Sequence, residues 1–164
     1  MFPIRSLLIS CLMCFAPVVL AAQEANVAFG TIKADPGLPV EVTAETLDVN
    51  QEDGTALFRG DVRVGQGEMR LNARQVLVIY NSDNSGIERL EATGDVLLVS
   101  GPDAAQAERA DYTIGSGVIV MTGDVLLTQG ANALTSNKMT VNLQTGTAQM
   151  VGRVKTILIP DGDD

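Results

Sequence analysis

Val120-Met121-Thr122-Gly123-Asp124-Val125 is one of three near-copies of a single phrase. The others are Ala56-Leu57-Phe58-Arg59-Gly60-Asp61-Val62 and Glu91-Ala92-Thr93-Gly94-Asp95-Val96, and Met150-Val151-Gly152-Arg153-Val154 closes the series. The glycines Gly60, Gly94, Gly123 and Gly152 lie 34, 29 and 29 residues apart. A glycine inside a β run marks a bulge or a sharp bend. A bend at the same place in every unit lets each strand turn a corner between two facing sheets. One such unit cannot bury its apolar face alone, so stacked neighbours must bury it together.

Outward from these phrases the chain alternates apolar and polar residues. Val40-Glu41-Val42, Leu47-Asp48-Val49, Val62-Arg63-Val64, Met69-Arg70-Leu71 and Val141-Asn142-Leu143 all follow period two, the mark of a strand with one buried face. β-Branched residues dominate, which favours strand over helix. Turn residues punctuate the runs at Asp53-Gly54, Gly65-Gln66-Gly67, Asn81 to Gly86, Gly101-Pro102-Asp103, Gly115-Ser116-Gly117 and Thr145-Gly146. The Ala-rich segment Asp103 to Ala110 is the one stretch compatible with a turn of helix. Two all-β architectures fit: an antiparallel β-roll or jellyroll, and a parallel β-helix with one coil per unit. Short glycine-containing turns favour hairpins and so the roll.

The chain has 164 residues, enough for one domain. It contains no His and no Trp, which excludes Ser-His-Asp, Cys-His and His-ligated zinc chemistry. Its formal charge of -9 repels phosphate backbones, so no nucleic-acid partner is expected.

Residues 1–22 read as a secretory signal peptide. Arg5 precedes an apolar run from Leu7 to Leu20, and Ala21 and Ala22 supply the small residues of a cleavage site. The run is short for a spanning helix and contains Pro17, which argues against an anchor. Leu8-Ile9-Ser10-Cys11 imitates a lipoprotein signal, but Cys11 precedes most of the apolar run. Cleavage removes both cysteines, Cys11 and Cys14, so the exported domain is expected to have neither disulfide nor thiolate chemistry. Residues 23–38 read as a flexible segment, 39–160 as the domain and 161–164 as an acidic tail.

Catalytic signals are weak. The sequence has neither a phosphate-cradling Gly-x-x-x-x-Gly-Lys-Ser/Thr run nor a Gly-x-Ser-x-Gly elbow. Asn81 to Gly86 imitates the first half of a calcium loop, but Ala92 stands where the closing Glu belongs. Asp61, Asp95 and Asp124 could in principle form a glycosidase pair. Each follows a glycine at the same point of a repeat, so a structural role in a turn, bonded to nearby backbone, is the simpler reading. No catalytic residue, metal ligand or cofactor is expected.

The sequence resembles the OstA-like β-jellyroll family of periplasmic lipopolysaccharide-export bridge proteins (the Lpt system). The resemblance runs from about Pro39 to Pro160. It rests on Pro39-Val40-Glu41-Val42, Leu47-Asp48-Val49 and Phe58-Arg59-Gly60-Asp61-Val62-Arg63-Val64, then on Met69-Arg70-Leu71-Asn72-Ala73, Ala107-Glu108-Arg109-Ala110-Asp111-Tyr112 and Val120 to Val125. The family's basic C-terminal tail has no counterpart in Asp161-Gly162-Asp163-Asp164.

The resemblance implies an all-β, antiparallel β-jellyroll: a V-shaped roll of two facing sheets, open at both ends. It implies a non-enzymatic transport protein holding lipid A acyl chains in the slot. Its expected partners are lipopolysaccharide, homologous β-jellyroll domains of inner- and outer-membrane export proteins, and further copies of itself, with energy from a partner ATPase. The expected slot lining is Val40, Val42, Leu47, Phe58, Val62, Val64, Met69, Leu71, Val96, Leu98, Tyr112, Ile114, Val120, Val125, Leu127, Val141 and Leu143. In 96–99 and 118–121 both faces are apolar, and a slip of one residue would exchange them. Expected assembly edges are the first strand (Val40, Val42, Val49) and the last (Val154, Ile157, Ile159), since unpaired edges are templates for another strand. The rival readings are a secreted structural β-repeat without ligand and a carbohydrate-active β-helix using Asp residues.

Overall fold

A computed structural model describes residues 25–28, 37–83 and 85–158. The expected signal peptide at 1–22, the expected acidic tail at 161–164 and Ile159 lie outside the described residues. Every element in it is a strand: β1 (Ala25–Ala28), β2 (Glu41–Thr43), β3 (Thr46–Asn50), β4 (Thr55–Gln66), β5 (Met69–Tyr80), β6 (Ile87–Ser100), β7 (Asp103–Thr113), β8 (Val118–Gln129), β9 (Asn132–Asn142), β10 (Thr147–Val151) and β11 (Lys155–Ile157). All pairings are antiparallel, in the order β1-β10-β9-β8-β7-β6-β5-β4-β2, with β3 also on β4 and β11 also on β9. The parallel β-helix is thereby excluded. The two ends of the order do not pair, so the sheet stays open.

The repeated glycines fold this one sheet in two. Gly60-Asp61 on β4 stands opposite the single residue Arg74 on β5, because the register jumps from Arg59↔Gln75 to Val62↔Ala73. Gly94-Asp95 likewise opposes Glu108, and Gly123-Asp124 opposes Asn137. Two residues against one is a β-bulge, which bends its strand. Both members of each pair are left-handed: the four glycines have φ of 81–85°, and Asp61, Asp95, Asp124 and Arg153 have φ of 41–48°. Glycine adopts this freely and Asp tolerates it better than most residues. The aspartates therefore serve the corner by their backbone conformation, and two of them also ion-pair. Asp61 pairs with Arg63 at 2.6 Å, and Asp95 pairs with Arg74.

These bulges align across the sheet as a corner. Leaf I holds residues 46–59, 75–83, 85–93, 109–122 and 138–151 with β1. Leaf II holds 41–43, 62–73, 96–107 and 125–136 with β11. Long strands run through both leaves, so the two facing sheets of the expected roll are the halves of one continuous folded sheet. At the corner the bulged strands keep their parity and the unbulged ones change it. Thus β5 buries Met69, Leu71 and Ala73, then Val76 and Val78. The inner faces form one apolar core in which Val62, Leu98, Ile119, Met121, Leu127, Met139, Val141 and Met150 are 0% exposed. Each such burial is worth about 1.5–3 kcal/mol, which lets the roll hold together without cross-links.

Two expectations are corrected. The Ala-rich stretch at 103–110 is strand β7, with Ala105, Ala107 and Ala110 buried between β6 and β8. Pairing with strands on both sides and burial of the small side chains override the helix preference of Ala. The segment expected to be flexible at 23–38 contributes β1, which pairs with β10 through Ala25↔Met150 to Ala28↔Thr147.

Candidate functional site

The interior between the leaves is lined by the side chains that precede and follow each corner. Counting from the corner glycine, positions two and four before it face inward: Phe58 and Ala56, Ala92 and Leu90, Met121 and Ile119, Met150 and Ala148. Positions two and four after it also face inward: Val62 and Val64, Val96 and Leu98, Val125 and Leu127.

Of the expected lining, Val62, Val64, Met69, Leu71, Val96, Leu98, Tyr112, Val125, Leu127, Val141 and Leu143 are all buried in this core. Val40, Val42, Phe58 and Ile114 are partly buried and pack against it. Two positions differ. Leu47 is 52% exposed: it pairs with Phe58, but β3 is an edge strand with no neighbour on its far side among the described residues. Val120 points outward, between Asp111 and Thr140 on the neighbouring strands, while Ile119 and Met121 are buried. The lining also includes Val76, Val78, Leu90, Ile119, Met121, Leu134, Met139 and Met150, which strand-by-strand alternation misses. The repeat itself carries the missing signal, because Val120 is three residues before its glycine, in step with outward Glu91.

Among the described residues all four methionines, Met69, Met121, Met139 and Met150, are at most 1% exposed. Thioether side chains are unbranched and repack with little strain, so this interior is apolar and adaptable. The turns of leaf I (51–54, 81–83 with 85–86, 114–117, 143–146) and of leaf II (67–68, 101–102, 130–131) form two rows at the rims away from the corner, and the mouth lies between them. Leaf I brings apolar Tyr80, Ile87 and Ile114 to this rim, packed on the core. Leaf II brings the buried polar residues Gln66, Ser100 and Asp103. Gln129 Nε2 donates to Asp103 Oδ2 at 2.9 Å and to the Ala28 carbonyl at 2.5 Å.

One buried hydrogen bond crosses the mouth. Tyr112 Oη on leaf I donates to Gln66 Oε1 on leaf II at 2.5 Å, and Gln66 Nε2 donates to the Leu38 carbonyl at 3.0 Å. Burial pushes the Tyr112 phenol up to about 12, because the phenolate would be stranded in the core. An unfolded tyrosine ionises near 10, so this group's stability is fully present below about pH 10 and is lost as pH rises toward about 12. Between about pH 9.5 and 11.5 the protein loses about 2 kcal/mol through Tyr112. Urea midpoints at the two pH values check this, since Tyr112→Phe lacks that part of the loss.

Outer hollows are open and mixed in character, such as one of about 490 Å³ bounded by Leu38, Glu41, Arg63 and Arg70. Among the described residues, no three His, Cys, Asp or Glu side chains are grouped so as to hold a metal ion.

Residues 41–147 match the model of a family described as LptA/(LptD N-terminal domain) LPS transport protein. An uncharacterized protein of Rhizobium meliloti (strain 1021) is 31% identical over 90 residues, which are 51% of this chain and 48% of that protein. The chain thus matches about half the length of this relative. Among solved structures, the fold is similar to that of LptH, the LptA-homologous periplasmic component of the lipopolysaccharide transport device of Pseudomonas aeruginosa. The TM-score is 0.70 at 19% identity, covering 77% of this chain and 99% of that one.

Proposed function

Since the chain belongs to the LptA/(LptD N-terminal domain) family of lipopolysaccharide transport proteins, we propose that it is an exported periplasmic carrier that shelters lipid A acyl chains between its two leaves. The observation that carries this reading is the unbroken aliphatic interior, which runs from one unpaired end of the folded sheet to the other.

Each buried methylene is worth about 0.8 kcal/mol, so exposing one twelve-carbon chain to water costs on the order of 10 kcal/mol. A multiply acylated lipid cannot cross an aqueous gap against that penalty. A greasy interior removes most of it without chemistry, and the task is transport, not catalysis. The inner faces pack on one another in the closed roll, so the acyl chains enter by parting the leaves. The four buried methionines let the lining re-form around them. The acidic surface keeps sugars and phosphates outside.

Incubation with lipopolysaccharide, followed by size-exclusion chromatography, tests the reading. Native lipopolysaccharide is expected to co-elute with the protein and fully deacylated lipopolysaccharide is not. Equal retention of both would overturn it.

End-to-end assembly with further copies and with homologous β-jellyroll domains follows from the free edges. One end presents β2 and β3, where Leu47 and Val49 are 52% and 62% exposed. The other presents β1 and β11, with Ile157 and Leu158 at 52% and 68%. The edge at that end of leaf I is thus β1, drawn from the opposite end of the chain. Val49→Lys places a charge on an edge meant to pair, and is expected to weaken self-association about tenfold by light scattering.

A further inference from the structure

The Tyr112–Gln66 bond joins residues 46 apart in sequence, on opposite leaves, at the mouth between the two rows of turns. Both partners are 1% exposed. Gln66 is the last residue of β4, and its amide is shared. Its oxygen accepts from Tyr112, and its nitrogen donates to the main chain at Leu38, three residues before β2 begins. Leu38 also lies over the turn that follows Gln66: its Cδ1 would be 3.1 Å from a Cβ at Gly67. The amide is planar and rigid, so moving Leu38 away turns or withdraws the group that holds Tyr112.

We propose that Tyr112, Gln66 and the Leu38 carbonyl form a latch that holds the leaves closed and ties their opening to the segment leading into the end strand β2. A force on that segment, of the kind a strand docking on β2 would exert, releases Gln66, and with it Tyr112, so the mouth opens at the end where a neighbour has arrived. Tyr80 also stands at the leaf I rim, packed on the core, but among the described residues no such bond ties it to leaf II, so it is the control.

The latch is testable without lipid. Spin labels at Glu68→Cys in a leaf II turn and Ser116→Cys in a leaf I turn report the width of the mouth, and both positions are exposed. Tyr112→Phe keeps the ring in the core and removes only the hydroxyl. It is expected to raise the population with a widened mouth about fivefold, the size set by one net hydrogen bond. Leu38→Gly is expected to widen the mouth in the same direction, and the double variant to exceed Tyr112→Phe by less than the product of the two effects. Tyr80→Phe is expected to leave the distribution unchanged.

An unchanged distribution in Tyr112→Phe overturns the latch. Widening by Tyr112→Phe but not by Leu38→Gly, or independent effects of the two, overturns the tie to β2. A second readout rests on the lipid-carrier reading. A fluorescent twelve-carbon fatty acid is expected to enter Tyr112→Phe faster than the parent. Widening without faster entry would count against the interior as the acyl site while leaving the latch intact.

Discussion

A small aliphatic diazirine residue at Ile119 is expected to capture lipopolysaccharide in cells on irradiation, and the same residue at Val120 is expected to capture none. These neighbours are chemically alike, and simple alternation in Val118-Ile119-Val120-Met121 does not separate them. Ile119 is 0% exposed between the leaves, whereas Val120 lies on the outer face between Asp111 and Thr140. If acyl chains occupy the interior, the contrast is all-or-none, because the photo-generated carbene reacts only with what it touches. Ile114, partly buried at the mouth, is expected to capture lipid as well. Lipid captured equally at both positions would place the acyl chains on the outside of the sheet. Capture of protein neighbours alone at Ile119 would mean that the core stays shut.

Gly123→Val is expected to destabilise the roll by about 3 kcal/mol or more, enough to unfold a marginal domain at physiological temperature. Two effects add. The backbone at Gly123 has φ of +85°, where a β-branched residue is strained. Its Cβ would also lie 2.8 Å from Glu108 Cβ, which is tied to its own strand and cannot swing aside. Gly130→Ala isolates the first effect, because φ is +58° there and nothing lies within 4 Å of the added carbon. It is expected to cost only about 1 kcal/mol. Urea denaturation of the two variants compares them directly. A Gly123→Val midpoint close to that of Gly130→Ala would mean that the corner is not sterically closed.

The corner and the faces differ in how far they can be read along the chain. The Gly-Asp-Val phrase recurs because each bulged strand needs the same left-handed pair, and a requirement on backbone conformation is local, so it is written where it acts. The alternation in β4 and β8 is similarly local, and the inward sets Val62-Val64 and Val125-Leu127 follow from it. On β5, β7 and β9 the parity changes at Arg74, Glu108 and Asn137, which carry no mark of it. The change is imposed by the bulge on the neighbouring strand. That is why Val76, Val78 and Met139 escape a reading made one strand at a time.

By itself, then, the amino-acid order determined an all-β repeat with corners at Gly60, Gly94, Gly123 and Gly152, an aliphatic interior and a resemblance to lipopolysaccharide-export proteins. Only the tertiary structure decided the outward place of Val120, the strand state of Asp103 to Ala110, the seat of β1 beside β10, and the meeting of Tyr112 with Gln66. The partners that decide them lie from 9 residues away in sequence, as Asp111 does from Val120, to 125 away, as Met150 does from Ala25. Periodicity and propensity describe a residue's neighbours in sequence, and burial is decided by its neighbours in space.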